Sequence, residues 1–422
     1  MRSSGGAASC RGTRPIPLFG ELKRPADAGD IRLLTFDEAE FQRRHEALRT
    51  AMRTEGLDAL VCTFAPSVCY VSGYETLASF APMFLIVGID REPTLLVDDF
   101  EAFNAIVSSW VEDVVTFPWG EDPAAVLVDV LRHRGWAKAR LGCEHHQHGG
   151  AYQGYLRAAE SVGASWSYVH LLVDGVRARK SAAEIAAIRS AGAITPRGFD
   201  AARAELRPDA PDTNVAAAAY QALVGAGSER MSIQPIVTAG RNSGIPHTTF
   251  GRSRLTPGHP AILEWGACVK RYTAPMIRTG VIGELADPLW DTMYAACLAA
   301  VERTIAGMRP GVSTRELGEH ASEPLHELPP RVFRDGLRGY SVGLSFEPDW
   351  LDVPGLRICP PVSHSERLLA AYPTLEPGHV FHVRAVVRDV GRAGVGVSET
   401  VAVTADGCEV LTDYPRDPLR LG

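Results

Sequence analysis

The sequence predicts an α+β protein in two parts, a small α/β domain and then a larger domain of antiparallel strands and helices. Three observations carry this. Residues 35–172 alternate helical and strand patterns on the scale of one domain. From residue 173 onward the strands are long and mostly alternate apolar with polar positions. Between the two regimes lies one long helical stretch. A chain of 422 residues has room for two domains, and 45% hydrophobic with 22% charged residues is the balance of a globular protein with a substantial core. We divide it into a loosely held arm (1–34), a small domain (35–172) and a large domain (173–422).

The arm, "MRSSGGAASCRGTRPIPLFGELKRPADAGD", has no apolar core of the kind a secretory signal needs. Order begins at "TFDEAEFQRRHEALRTAMRTEGLDALVCT", where Phe41, Leu48, Ala51 and Met52 recur at helical spacing between a Thr/Asp cap and Gly56, before the strand "LDALVCTF". "PMFLIVGI", "PTLLVD" and "VVTF" read as strands, "PAAVLVDVLRHRGW" as a helix and "RLGCEHH" as a further strand. Around residue 173, "HLLVDGVRARKSAAEIAAIRSAGAITPRGFDAARAEL" becomes one long helix, started by Ser181 with Glu184 three positions on, a capping box. Beyond it the strands "SIQPIVTAG", "HPAILEWGACVKRYTAPMIRTGVIG", "HVFHVRAVVRDV" and "GVGVSETVAVTADGCEVLT" are interrupted by the helices "PLWDTMYAACLAAVERTIAGM" and "STRELGEHASEPLHEL". An order of two helices followed by strands occurs twice, as in a duplicated half.

Composition narrows the function. The net charge of −7 and the absence of any Lys/Arg block argue against a nucleic-acid or anionic-membrane partner, and no long uncharged apolar run reads as a membrane span. The expected partner is a small molecule. The eight cysteines form no C-x-x-C pair and read as reduced thiols in a cytoplasm. His145, His146 and His148 in "CEHHQHGG" have no matching carboxylates nearby and read as a solvated loop rather than a metal site.

Six segments in order resemble the creatinase and Xaa-Pro aminopeptidase superfamily: "VRARKSAAEIAAIRSAG", "IVTAGRNSGIPHTTF", the strand with Glu264 and Arg278–Thr279, "GYSVGLSFEPDW", "LEPGHVFHV" and "VSETVAVTADGCEVLT". The resemblance spans about residues 35–415 and implies a creatinase-like N-terminal domain followed by a pita-bread catalytic domain, assembled as a homodimer. Peptidases of that superfamily hold two metal ions with two Asp, one His and two Glu. Carried over position by position, these fall on Glu264, Pro275, Tyr340, Arg384 and Glu399. Two carboxylates and a guanidinium are a poor cage for hard dications, so no metal and no cofactor are expected. "GACVKRY", "APMIRT" and Phe381–His382 bring the resemblance closest to the metal-free branch of creatinase and ectoine hydrolase, which hydrolyse carbon–nitrogen bonds of small zwitterions. "GYETLASFAPM" and "LDVPGLRICPPVSHSERLL" depart from the ectoine enzymes, in places where substrate identity would be set.

These residues suit an amidine or related cation that also carries a carboxylate. Glu264 in the apolar run "AILEWGAC" and Glu399 between "GVGVS" and "TVAV" are costly acids unless paired or used. Glu264 is the candidate general base or nucleophile, a choice that stays open, and His247 the candidate proton donor to the leaving nitrogen. Glu399 is expected to anchor the cation. Tyr272 and Tyr340 are candidate hydrogen-bond donors, Arg278 and Arg384 candidate partners of a substrate carboxylate, and Glu347 and His382 further substrate contacts. The leading expectation is a metal-independent hydrolase of a non-peptide carbon–nitrogen bond. The competing classes are a biosynthetic enzyme running ring closure at the same site, a binding protein that lost the reaction, and a metal-dependent aminopeptidase.

Overall fold

The computed structural model describes residues 32–144, 163–169, 172–251, 253–359 and 373–420, with the backbone of Gly20–Glu21. His145, His146, His148 and most of the N-terminal arm lie outside the described residues. The chain forms two compact units that meet in sequence at Leu172 and Val173.

In the first unit, a seven-stranded sheet runs in the order β1 (Gly20–Glu21), β5 (Asp113–Phe117), β4 (Thr94–Asp98), β3 (Met83–Gly88), β2 (Ala59–Cys62), β6 (Arg140–Cys143) and β7 (Ser165–Tyr168). The described part of the arm is thus an edge strand, antiparallel to β5. Helix α1 (Glu38–Thr54) begins where the Asp37 carboxylate accepts from the Glu40 N–H at 3.0 Å, and it buries Phe41, Leu48 and Met52 on one stripe. Between β2 and β3 lies α2 (Ala65–Ser72), and α3 (Ala102–Ser108) leads into β5. Helix α4 (Pro123–His133) packs Val126, Leu127, Val130 and Leu131 on the inward side chains of β2, β3 and β4.

The second unit opens with α5 (Leu172–Ala178) and α6 (Ala182–Ala204). Its capping box forms as expected: the Ser181 hydroxyl accepts from the Glu184 N–H, and the Ser181 N–H donates to the Glu184 carboxylate at 2.8 Å. Two helices and then strands occur twice: α6 and α7 (Asp212–Gly225) precede β8 (Ile236–Ala239), β9 (Ala261–Val269) and β10 (Tyr272–Val281). Then α8 (Pro288–Gly307) and α9 (Thr314–His326) precede β11 (Val332–Arg334), β12 (Gly339–Phe346), β13 (Asp349–Leu351), β14 (Arg357–Ile358), β15 (Val380–Asp389) and β16 (Ala393–Val403). The main path of the sheet is β17 (Cys408–Val410), β16, β15, β12, β10, β9, β8, and β18 (Leu419–Arg420) lies parallel to β10.

Strand alternation sorts this sheet into two faces. On β15 and β16, Phe381, Val383, Ala385, Val387, Val395, Val397 and Val401 join Met293, Cys297 and Ala300 of α8 in the main core. The other face carries His382, Arg384, Val386 and Arg388 of β15, and Gly396, Ser398 and Thr400 of β16. Val386 meets Ile262 of β9 and Ile277 of β10, so the sheet curls until this face encloses an interior. Side chains close the curl where no ladder could: the Ile277 N–H donates to the Ser398 hydroxyl at 2.6 Å, Thr400 donates to the Pro275 carbonyl at 2.8 Å, and Thr279 donates to the Gly396 carbonyl at 2.9 Å. On the outer side of β9 and β10, Thr195 of α6 donates to the Ala274 carbonyl and accepts from the Ala267 N–H, while Phe199 stacks on Trp265 with centroids 4.0 Å apart.

Asp352, 3% exposed, is paired with two cations: its carboxylate lies 2.7 Å from Lys180 Nζ and accepts from Arg177. Burial works to raise its pKa, but Arg177 and Lys180 outweigh this and hold the carboxyl below its usual range. Its stabilising contribution is therefore present above the unfolded pKa of about 3.9 and is lost as pH falls through the lower folded value. Asp352→Asn should lower the unfolding free energy by about 3–5 kcal/mol at pH 7, because buried Lys180 loses its counter-ion and buried Arg177 is left with Asp174 at 3.5 Å. Urea melts should show the gap to wild type closing in acid; a gap independent of pH would contradict the role given to the charge.

Candidate active site

The candidate site is built on the inner face of the curled sheet. Glu264 sits in the middle of β9, opposite Ile277 of β10, and stays partly open while Leu263 and Trp265 on either side are sealed. It makes no hydrogen bond or ion pair among the described residues. Burial pushes its pKa up; Arg384 and Arg388 pull part of the way back, and Asp335 adds to the rise. A carboxyl so placed holds a proton more readily than one at the surface.

Tyr340 on β12 and His382 on β15 are register partners and touch: the Tyr340 hydroxyl lies 2.8 Å from His382 Nδ1 and accepts from Trp350 Nε1 at 2.8 Å. His382 Nε2 lies 2.6 Å from the Ser398 hydroxyl. Burial, reinforced by Arg384, holds the His382 imidazole well below its ordinary pKa, so at neutral pH it is an uncharged link in this chain. Burial also raises the Tyr340 pKa, and the charge of Glu264 adds to the rise, so the phenol stays protonated. Arg384, also on β15, donates to Asp335 at 2.9 Å. The structure thus brings Glu264, Tyr340, His382 and Arg384 together.

The other expected residues lie elsewhere. Glu399 does not face Glu264. Its register partner is Val383, whose neighbours form the main core, whereas Arg384 pairs with Ser398. Both Glu399 oxygens are engaged, one by Arg278 at 2.7 Å and Arg416 at 2.9 Å, the other by Thr412 at 2.6 Å. This carboxylate has no room for a substrate cation. Arg278 is likewise unavailable to a substrate carboxylate: its five N–H groups donate to the carbonyls of Ile277, Ser398, Tyr414 and Pro415 and to Glu399. Tyr272 points to the α6 side of β10, where its hydroxyl donates to Glu184 at 2.8 Å. Glu347 pairs with Arg230 at 2.7 Å and Arg271 at 3.4 Å in the turn between β12 and β13, while Trp350 from the same stretch reaches Tyr340. His247 is exposed on the loop after the 3₁₀ segment Gly240–Gly244, with a left-handed φ of 56°, and makes no hydrogen bond among the described residues.

Sequence reasoning missed Ser398, Asp335, Arg338 and Arg388. Ser398 stands next to Glu399 in "SET", and only the pairing register shows which of the two faces inward. Arg388, four residues after Arg384, shares its face by strand periodicity, a signal that was available.

The corrected register also bears on metal. The five positions implied by the resemblance become Glu264, Pro275, Tyr340, Arg384 and Ser398: one carboxylate, one imino acid whose carbonyl is taken by Thr400, one neutral phenol, one guanidinium and one hydroxyl. Among the described residues no three His, Cys, Asp or Glu side chains gather as a metal-binding group. This donor set does not fit a pair of divalent ions.

Residues 44–179 match the creatinase/prolidase N-terminal domain, and residues 186–405 match the metallopeptidase family M24. The chain is 26% identical over 409 residues to the ectoine hydrolase of Halomonas elongata, covering 91% of this chain and 98% of that protein. It is 24% identical over 351 residues to the putative dipeptidase YkvY of Bacillus subtilis, covering 83% and 92%. Among solved structures, the prolidase from Pyrococcus horikoshii OT3 superposes with a TM-score of 0.75 at 21% identity, covering 89% of this chain and 99% of that one. The fold is thus a creatinase-type N-terminal domain and a pita-bread C-terminal domain. With the second of these matches taking in more than half of its length, the chain belongs to the metallopeptidase family M24.

Proposed function

We propose that this protein is a metal-independent hydrolase of a carbon–nitrogen bond other than a peptide bond, acting on a small cyclic amidine or related amino-acid derivative. The observation that carries the reading is the replacement of the metal cage: Glu264 keeps its carboxylate while Arg384 and Ser398 face it from the opposite strands. The near full-length similarity to an ectoine hydrolase supports the same reaction class.

In this reading an amidinium cation binds at Glu264, whose carboxylate has no hydrogen-bond partner to displace among the described residues. Water adds to the amidine carbon as Glu264 accepts its proton, or Glu264 itself attacks and water releases the adduct. The carbon–nitrogen bond then breaks, and the proton goes to the departing nitrogen. With burial raising its pKa, one carboxyl serves as base and then acid, a task that does not need the exposed His247. The neutral Tyr340–His382–Ser398 chain keeps a hydroxyl beside the reacting carbon. The enzyme acts in the cytoplasm as a homodimer. In support of the dimer, Leu77, Phe80, Phe100, Phe103 and Trp119 are exposed on the N-terminal unit, where Glu101 accepts from Tyr74 and Thr76 and Asp99 accepts from the Trp119 N–H, joining the loops that carry them.

Exhaustive dialysis against EDTA should leave kcat/KM on carboxylated cyclic amidines within about twofold, while Glu264→Gln should cost roughly 10²–10⁴-fold in kcat. Loss on chelation with rescue by manganese would favour a metal-dependent peptidase. Because the folded pKa of Glu264 is raised, this group favours the fold below its unfolded pKa of about 4.3 and loses that contribution as pH rises through the folded value. Glu264→Gln should therefore gain stability relative to wild type as pH is raised, measured by urea midpoints. Light scattering should give twice the chain mass, and Phe80→Asp with Phe100→Asp should shift it to the monomer.

A further inference from the structure

The charges around Glu264 do not balance. Three guanidiniums, Arg338, Arg384 and Arg388, share this region with two carboxylates, Glu264 and Asp335. Asp335 is divided between two of them: Oδ2 accepts from Arg384 at 2.9 Å, and Oδ1 lies 3.2 Å from Arg338 Nη2. Arg388 is left over. Its Nε is buried without a hydrogen-bond partner, and no carboxylate stands within 4 Å of it among the described residues. Burial and the neighbouring Arg384 both work against its charge, with Asp335 and Glu264 offsetting only part, yet a guanidinium stays protonated under such pressure. A partly buried cation without a counter-ion is unfavourable, and sites that bind ligands are where such imbalance is kept.

The local fold holds Arg388 in this state. Its register partner on β16 is Gly394, where a Cβ would overlap the Ser243 carbonyl and press on the Arg388 stem. The side chain therefore lies over a strand position that can hold nothing else. Glu264, Arg384 and Arg388 are also the charged side chains of β9 and β15 on the inner face that remain partly open, so a ligand reaching one can reach the others.

We propose that Arg388 is the receptor for an anionic group on the substrate, so that the substrate is a zwitterion with its cationic head at Glu264 and a carboxylate at Arg388. The assignment rests on Glu264 being the reacting centre. It replaces Arg278, whose donors are all occupied, and leaves Arg384 to its bond with Asp335.

The test titrates wild type and Arg388→Met with a tetrahydropyrimidine ring bearing a carboxylate and with the same ring lacking it. Wild type should bind the carboxylated ring about 10–100-fold tighter. Arg388→Met should reduce that ratio to about one by weakening binding of the carboxylated ring, and Arg388→Lys should restore part of it. A preference that survives in a folded Arg388→Met, or its absence in wild type, overturns the proposal. If neither ring is hydrolysed but N-acetylglycine still raises the melting temperature of wild type and not of Arg388→Met, the reaction class proposed above fails while the anion receptor stands.

Discussion

The hydrogen bond from the Ile277 N–H to the Ser398 hydroxyl is the constraint on which the site depends. It joins β10 to β16 across the interior, where the sheet has no ladder to do so, and in joining them it sets which side chains look inward. A strand has a period of two, so Ser398 inward places Arg384, its partner on β15, inward as well and sends Glu399 to the helix side. Ser398 also meets His382, and through it Tyr340 and Trp350. One hydroxyl thus ties the closing of the curl to the arrangement of the polar groups inside it.

Within that enclosure the electrostatics differ in kind from those of a metal cage. A divalent ion brings two charges and takes ligands from several directions, whereas a guanidinium brings one charge and a planar fork of donors fixed to the backbone. Among the described residues the Arg384 guanidinium donates a single hydrogen bond, to Asp335, and the Glu264 carboxylate has no hydrogen-bond partner. Burial lifts the Glu264 pKa while two arginines pull the other way, an opposition that suits a group meant to exchange a proton. The same opposition costs stability.

The parts of the fold that follow from local rules could be read directly in the sequence. Ser181 and Glu184 form the capping box that their spacing asks for, and Phe381, Val383, Ala385 and Val387 of "VFHVRAVVRDV" fall on one face at the spacing of two that a strand requires. Glu264 stood out because an acid in an apolar run needs a reason. What could not be read was whatever depends on pairing between distant segments. Glu399 and Ser398 are neighbours in sequence but on opposite faces, and only the partner strand distinguishes them. Arg278 looked free because its acceptors, the carbonyls of Tyr414 and Pro415, lie far along the chain. Asp335, which neutralises two arginines, gave no signal in a segment that reads as a polar turn.

The knot of Arg278, Glu399 and the carbonyls of residues 414 and 415 has a bearing on how the protein comes into being. Helices α6 and α7 and strands β8 to β10 can collapse early on contacts made within their own stretch, but β10 holds a buried guanidinium whose acceptors arrive more than a hundred residues later. Until those residues emerge from the ribosome, the nascent domain carries an unsatisfied cation at its centre. Its final consolidation is therefore a late event of synthesis, and the interval before it is when a chaperone has most to protect.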